Sequence, residues 1–467
     1  MFSISPCKMN SPRATPADSG EQAVYRVGTL SYTRQGLYVL FFWLMWNDFS
    51  ITLLEQVGGL VGFLNKNLGA SNFEMACFGS ISGLISMWIN PWFSTWSDRT
   101  RTRYGRRRPF VLCATPFFAL FLMLIPYMPT LYRGLMHYPI AAEIFQHLPI
   151  KGELFLIFVC SFISGVFNAM VLAIFSYLYW DVVPANVLGR FNSLVRMIAM
   201  LAGFIWNFFF LGFGEHHMKS VFVGVSIFCL VFYLISTWQV KEGEYPPPDE
   251  HKKGGVFAPI RAYFVECFSQ PYFLWIFFGF TLYQLNNLSG QYRNFYLHYD
   301  LGMSLDSIGK MNGLSQIFCL ALGFAFGFAI GSMTDRLNPV RLMAPTLLIW
   351  GVLYFVGFFF VRGPLSYLVL STVGGVIVFA YGVINGAFVV QVYPMEKLGQ
   401  FCAASAISQQ LICNLTSPFM AAFFDFTSNR VGFLWSACCL FASALVFRKV
   451  HRNWRARHGH APLPHAG

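Results

Sequence analysis

Two carboxylates stand inside an apolar run near the start of the chain, Asp48 and Glu55 in FFWLMWNDFSITLLEQVGGLVGF. Their spacing is two helical turns, so in a helix both lie on one face. A carboxyl at bilayer depth costs on the order of 3 kcal/mol, so it must face a cavity or a partner. There it can take up a proton or hydrogen-bond a ligand. Asn47 and Trp46 adjoin Asp48 and are candidates for the same site. Trp43 and Trp46 are suited to stack on the C–H face of a ring, although such indoles more often pack in a core or face lipid.

A second polar set lies far downstream. Gln284, Asn287 and Gln291 recur at i, i+3 and i+7 in an apolar run, with Arg293 just beyond. Asn168, Asn312, Gln316, Tyr381, Asn385, Gln409, Gln410 and Asn414 are further polar groups in apolar surroundings. Amides offer both donors and acceptors, which suits a neutral hydroxylated ligand better than an ion. Amide bonds between helices account for part of the set.

The elements that must position these groups follow from composition. Mean hydropathy is +0.54, hydrophobic residues make up 56% and charged residues only 11%. Runs long enough to span a bilayer recur to the end of the chain, so an all-α integral membrane protein is expected. Twelve spans are read at about 36–60, 73–96, 110–132, 154–180, 194–214, 221–240, 271–297, 307–333, 341–361, 365–392, 402–424 and 431–449. The loop D-R-T-R-T-R-Y-G-R-R-R-P-F from Asp98 to Phe110 carries six arginines in thirteen residues. Arginine is retained on the cytoplasmic side of short loops, which places this loop inside. On that topology 24 of the 32 Lys and Arg fall inside and 8 outside, and both termini are cytoplasmic. In a bacterium the membrane would be the inner one. The N-terminal stretch has no apolar core followed by a small-residue cleavage site, so it reads as a tail and not a signal peptide.

The net charge of +12 is therefore topogenic, with anionic lipid headgroups as neighbours. A nucleic-acid partner is not expected, because no soluble domain interleaves basic and aromatic residues. The 11 cysteines lie mainly inside apolar runs without a CxxC pair, which argues for free thiols and against zinc. No metal-ligand cluster or nucleophile–base motif points to an enzyme, and no cofactor is expected.

The spans divide six and six. A cytoplasmic tail (1–35) precedes a first six-helix bundle (36–240). A polar linker (241–269) leads to a second bundle (270–449) and a basic tail (450–467). Each half repeats the same punctuation. Ser97-Asp98-Arg99 follows span 2 and Thr334-Asp335-Arg336 follows span 8. Pro184-x-x-x-Leu188-Gly189-Arg190-Phe191 follows span 4, and Pro394-x-x-x-Leu398-Gly399-Gln400-Phe401 follows span 10. Acid–arginine pairs at helix ends can be made in one conformation and broken in another. Asp98, Arg99, Asp335 and Arg336 are candidate gating residues, with Asp181 and Arg190 as a second layer. Arg101, Arg103, Arg107 and Arg108 read as topogenic.

Two repeated six-helix halves resemble the major facilitator transporters, whose substrate site lies between the halves at the membrane midplane. R-x-G-R-R-R-P-F after S-D-R resembles the signature of the sucrose-transporter and glycoside–pentoside–hexuronide:cation symporter branch, and Asn47-Asp48-Phe49 is similar to the Lys-Asp-Phe of melibiose permeases. That resemblance implies that Asp48 contacts a sugar. The chain departs from it in span 2, whose only carboxylate is Glu74 at the outer edge. Span 4 offers Asn168 in place of an acid, and span 11 lacks a lysine, so the sodium site is not implied. The expectation is a symporter of a neutral sugar or glycoside, coupled to protons. The alternatives are an exporter of amphipathic or cationic compounds, with Asp48 and Glu55 as counter-charges, and a non-transporting receptor or scaffold.

Overall fold

The architecture is set by twelve long helices in the positions of the twelve apolar runs. The computed structural model describes residues 25–27, 29–100, 102, 105, 107–184, 187–243, 267–394 and 397–458. The first half contains α1 (Arg34–Asn67), α2 (Asn72–Arg99), α3 (Arg108–Leu124), α4 (Gly152–Val182), α5 (Leu188–Ile205) and α6 (Leu211–Gln239). The second contains α7 (Pro271–Leu288), α8 (Leu305–Leu337), α9 (Pro339–Phe360), α10 (Pro364–Val392), α11 (Leu398–Phe426) and α12 (Val431–His458). Before α1, β1 (Tyr25–Val27) and β2 (Leu30–Tyr32) pair antiparallel, with Tyr25 opposite Tyr32. Most of the N-terminal tail and of the central linker, and the last nine residues, lie outside the described residues.

The helix starts are written in short polar signals. Thr33 accepts from the Gly36 amide at 3.1 Å to open α1, and Ser304 accepts from the Ser307 amide at 3.2 Å to open α8. At α2 a capping box forms: Glu74 accepts from the Ser71 amide at 2.8 Å and Ser71 Oγ accepts from the Glu74 amide at 3.1 Å. Proline stands in the first turn of α3, α7, α9 and α10, where its missing N–H costs nothing.

Among the described residues, seven helical stretches are long and apolar enough to cross a membrane, or eight if a pair bent by 44° within α8 is one span. The difference from twelve has physical causes. A continuous stretch from Arg190 to Gln239 holds both α5 and α6. They are joined by a π turn at Trp206–Phe210 and broken at His217, whose φ of −123° and ψ of 39° are non-helical. The three helices that fall short include α7 and α11. Gln284, Asn286 and Asn287 lower the apolarity of α7, which ends after 18 residues and resumes at Gly290. Gln409, Gln410, Asn414 and Asp425 do the same for α11.

Within each half the helices close on apolar cores. In the first, α3 packs on α4 and α6; in the second, α9 and α7 pack on α12 and α8 on α10. Across the halves α2 lies against α11, and α8 against α5 and its π turn. That second crossing is close because α8 carries Gly309 and Gly313. A Cβ at Gly309 would run into the Asn207 carbonyl, and one at Gly313 would lie 3.0 Å from Phe208 Cβ. Small residues four apart let helix backbones approach in this way. Gly212 in α6 meets the Asp306 backbone of α8 just as closely.

Candidate substrate and gating site

Asp48 stands in the middle of α1, half-buried, and Tyr179 of α4 donates to its Oδ2 at 3.0 Å. The same phenol lies 3.5 Å from the Leu44 carbonyl. Thr52 and Glu55 continue the face one and two turns on. Glu55 is exposed there, and a Cβ at Gly58 or Gly59 would meet nothing within 4 Å. This stripe of α1 therefore looks onto open space until Gly62, where Gln291 closes over it. A cavity of about 450 Å³ lies here, lined by α1, α2, α4 and Gln291.

Comparable open positions on other helices include some beside candidate polar groups. Gly165 of α4 and Gly382 and Gly386 of α10 have nothing within 4 Å of a built Cβ. Asn168 lies three residues beyond Gly165, and Asn385 stands between the two α10 glycines. The Oδ1 atoms of both asparagines are buried and have no hydrogen-bond partner among the described residues. On α7, Asn287 donates to Gln284 Oε1 at 3.1 Å and accepts from Asn286 at 3.2 Å. Asn287 and Gln291 remain exposed. The described residues thus hold two carboxylates on one face of α1 and amides on α4, α7 and α10. Such groups can take up a proton and bond a polar, uncharged molecule. Among the described residues no three His, Cys, Asp or Glu side chains gather as metal ligands.

Several sequence-expected site residues are placed otherwise. Trp46 is two residues and about 200° around the helix from Asp48. Its indole stacks on Phe232 of α6 at 4.4 Å and 18°, with Phe49 and Phe228 around it, so it packs on α6 and not as a platform beside the carboxylate. Asn47 is fully buried, with both side-chain polar atoms unpartnered among the described residues. Arg293 points into the second half. Its Nη1 donates to Ser289 at 2.8 Å and Ser436 at 2.7 Å, and its guanidinium sits 4.6 Å from the Tyr354 ring centre. Gln409 bonds Ser405 on its own helix at 2.9 Å.

Among the described residues, a set of polar contacts joins the halves at the end that carries Lys66. Asp425 of α11 accepts from the Asn72 and Phe73 amides of α2 at 3.0 and 2.8 Å, and Lys66 lies 3.9 Å away. Asn72 Nδ2 donates to Asn429 at 3.1 Å, Tyr299 donates to Asn67 at 2.8 Å, and the Leu305 amide donates to Glu215 at 2.9 Å. Phe63 plugs the centre, edge-on to Phe295 at 5.1 Å and to His298 at 5.4 Å. These contacts join the two halves at this end. None of these partners was evident in the sequence, since acids and amides at helix ends look alike until the opposite half is in place.

At the arginine-loop end, the side chains of Asp98, Arg99 and Asp335 lie outside the described residues, and Arg336 is exposed. The second layer differs from the expectation. Asp181 at the end of α4 pairs with Arg107 at 3.1 Å, while Arg190 is exposed. Arg107 and Arg108 do more than set topology. Glu242 accepts from both of their backbone amides, at 2.9 and 2.8 Å, which caps α3. The Arg108 side chain donates to the Thr237 and Trp238 carbonyls at the end of α6, at 2.7 and 2.8 Å.

The described residues form two helix bundles joined across α2–α11 and α5–α8. Residues 37–328 match the model of the Major Facilitator Superfamily, and the chain belongs to that family. No curated protein matches it. Among solved structures it is similar to the nucleoside transporter NupG, with TM-score 0.65 and 11% identity over 89% of this chain and 99% of that one. It is also similar to a peptide transporter, POT, in complex with sulfate, with TM-score 0.62 and 13% identity over 91% and 96%. A bacterial homologue of the iron transporter ferroportin in an inward-facing state gives TM-score 0.60 and 14% identity over 90% and 100%. At these identities the likeness is one of fold.

Proposed function

We propose that the chain is a secondary active transporter that carries a neutral sugar or glycoside in symport with a proton, by alternating access between its two halves. The observation that carries this reading is Asp48, a carboxylate in the middle of α1 held by the Tyr179 phenol, on the helix whose later turns, at Gly58 and Gly62, line the cavity. A single carboxylate can load and release one proton per cycle. Moved through 100 mV, that charge is worth about 2.3 kcal/mol, enough for roughly 50-fold accumulation. Gln284, Asn287, Gln291, Asn168 and Asn385 supply donors and acceptors for hydroxyl groups. On the topology read from the arginines, the Lys66 end, where those contacts join the halves, is the outer one. The Asp98–Arg99 and Asp335–Arg336 pairs then serve the opposite, cytoplasmic gate, with Asp181 and Arg190 beside them.

The test is uptake of a panel of labelled sugars and glycosides into proteoliposomes. Accumulation of at least one should follow an imposed pH gradient, collapse with protonophore and ignore sodium. A tenfold sodium stimulation at fixed membrane potential would overturn proton coupling. Accumulation of cationic or amphipathic compounds, with none of the sugars, would overturn the substrate class.

A further inference from the structure

The end of α12 carries a feature that transport does not use. From Leu445 the sequence runs LVFRKVHRNWRARH, with five Lys and Arg and no acid, and the helix continues unbroken through it to His458. Leu445, Arg448, Lys449, Arg452 and Asn453 recur at helical spacing and line one pocket of about 440 Å³. Leu445 is 67% exposed, as on a lipid-facing turn, and the cations begin one turn further on. A second pocket, of about 300 Å³, adjoins it through Asn453 and is bounded by Pro271, Tyr272 and Trp275 of α7 with Arg457. Two of the cations are held by those rings. Lys449 Nζ lies 3.6 Å from the Trp275 ring centre, and Arg457 lies 4.4 Å from that of Tyr272. His451 is kept below its ordinary value by burial and by Arg455 and Arg341. It is neutral at pH 7, so lysine and arginine alone set the charge of this surface.

We propose that this crevice along α12, flanked by Trp275 of α7, is a binding site for an anionic phospholipid, its phosphate headgroup on Arg448, Lys449 and Arg452 and its acyl chain along Leu445. The order along the helix, apolar turn then cationic turns, matches the depth order of a lipid from chain to phosphate. The flanking Trp275 is the kind of ring enriched at that boundary. Three cations without an acid among them give the crevice charge complementary to a phosphodiester, and each contributes about 1 kcal/mol near an anionic surface, about fivefold in affinity.

Native mass spectrometry of the purified full chain, titrated with phosphatidylglycerol and with phosphatidylcholine, tests the site. Wild type should retain phosphatidylglycerol at least tenfold better than phosphatidylcholine. The variant R448Q/K449Q/R452Q should lose that preference, and K449Q alone should lower it about fivefold. A control with three cations removed from the opposite end, R133Q/K219Q/K310Q, should keep it. Millimolar inorganic phosphate should not displace the lipid, which separates a lipid site from a free-phosphate site. Equal retention of the two lipids by wild type would overturn the proposal. So would displacement by phosphate, unchanged preference in both crevice variants, or equal loss in the control.

Discussion

Replacing Asp425 tests the lock between the halves. Its carboxylate accepts two backbone amides of α2 from across the seam, at 3.0 and 2.8 Å, with Lys66 at 3.9 Å. Hydrogen bonds to a charged group contribute about 1.5–3 kcal/mol each, and a partly exposed pair takes the low end. The screened Lys66 contact adds about 0.5 kcal/mol at most. Asp425→Ala therefore removes about 3 kcal/mol from this conformation, which shifts the ratio of closed to open states roughly 150-fold. The α2 terminus keeps its own Ser71–Glu74 cap, so the helix itself survives. Spin labels at exposed Glu143 and Arg362, one per half at this end, in a background without accessible native cysteines, report the opening as a longer distance. Asp425→Asn keeps an acceptor oxygen and should fall between wild type and alanine. A wild-type distance distribution in Asp425→Ala would refute the assignment of this contact as a lock.

Gly212→Ala should open the same end. Its Cβ would sit 2.6 Å from Asp306 Cα, and such overpacking costs about 1–3 kcal/mol; the same pair of labels reads it. Arg107→Gln should lower the melting temperature strongly, since removing one partner of a buried pair costs about 3 kcal/mol or more. The double variant with Asp181→Asn should lose less than the two single losses combined. Tyr179→Phe leaves Asp48 without its donor and should reduce proton-driven accumulation about tenfold, from a charged hydrogen bond of about 1.5 kcal/mol, with the fold intact by melting temperature. Asp98→Asn should raise the inward-open population, read by cysteine accessibility on the two faces.

The helices were legible because apolar runs of bilayer length leave little choice. Asp48 and Glu55 stood out for the same energetic reason, since a carboxylate in a span must find a cavity or a partner, and the fold brings Tyr179 to Asp48. What failed was anything that depends on a partner from another helix. Trp46 looked like a neighbour of Asp48 because it is close in sequence, yet helical rotation sends it to Phe232. Arg107 was hidden among arginines whose number had a sufficient topogenic explanation, and only the fold brings Asp181 to it. Arg293 seemed poised at the end of the Gln284–Gln291 stripe, but the break at Ser289 turns it toward Ser436. Asp425 gave no signal, because its partners are backbone amides of a helix more than three hundred residues earlier in the chain.

The most direct measurement is made on Asp48→Asn, which removes the charge and keeps the shape. Accumulation, counterflow exchange and ligand binding are measured on the same purified, reconstituted variant, at a melting temperature near that of wild type. Accumulation should be abolished. Exchange should survive if Asp48 carries the proton, and binding should vanish as well if it also holds the sugar. Wild-type accumulation by Asp48→Asn would remove this carboxylate from the mechanism and contradict the account.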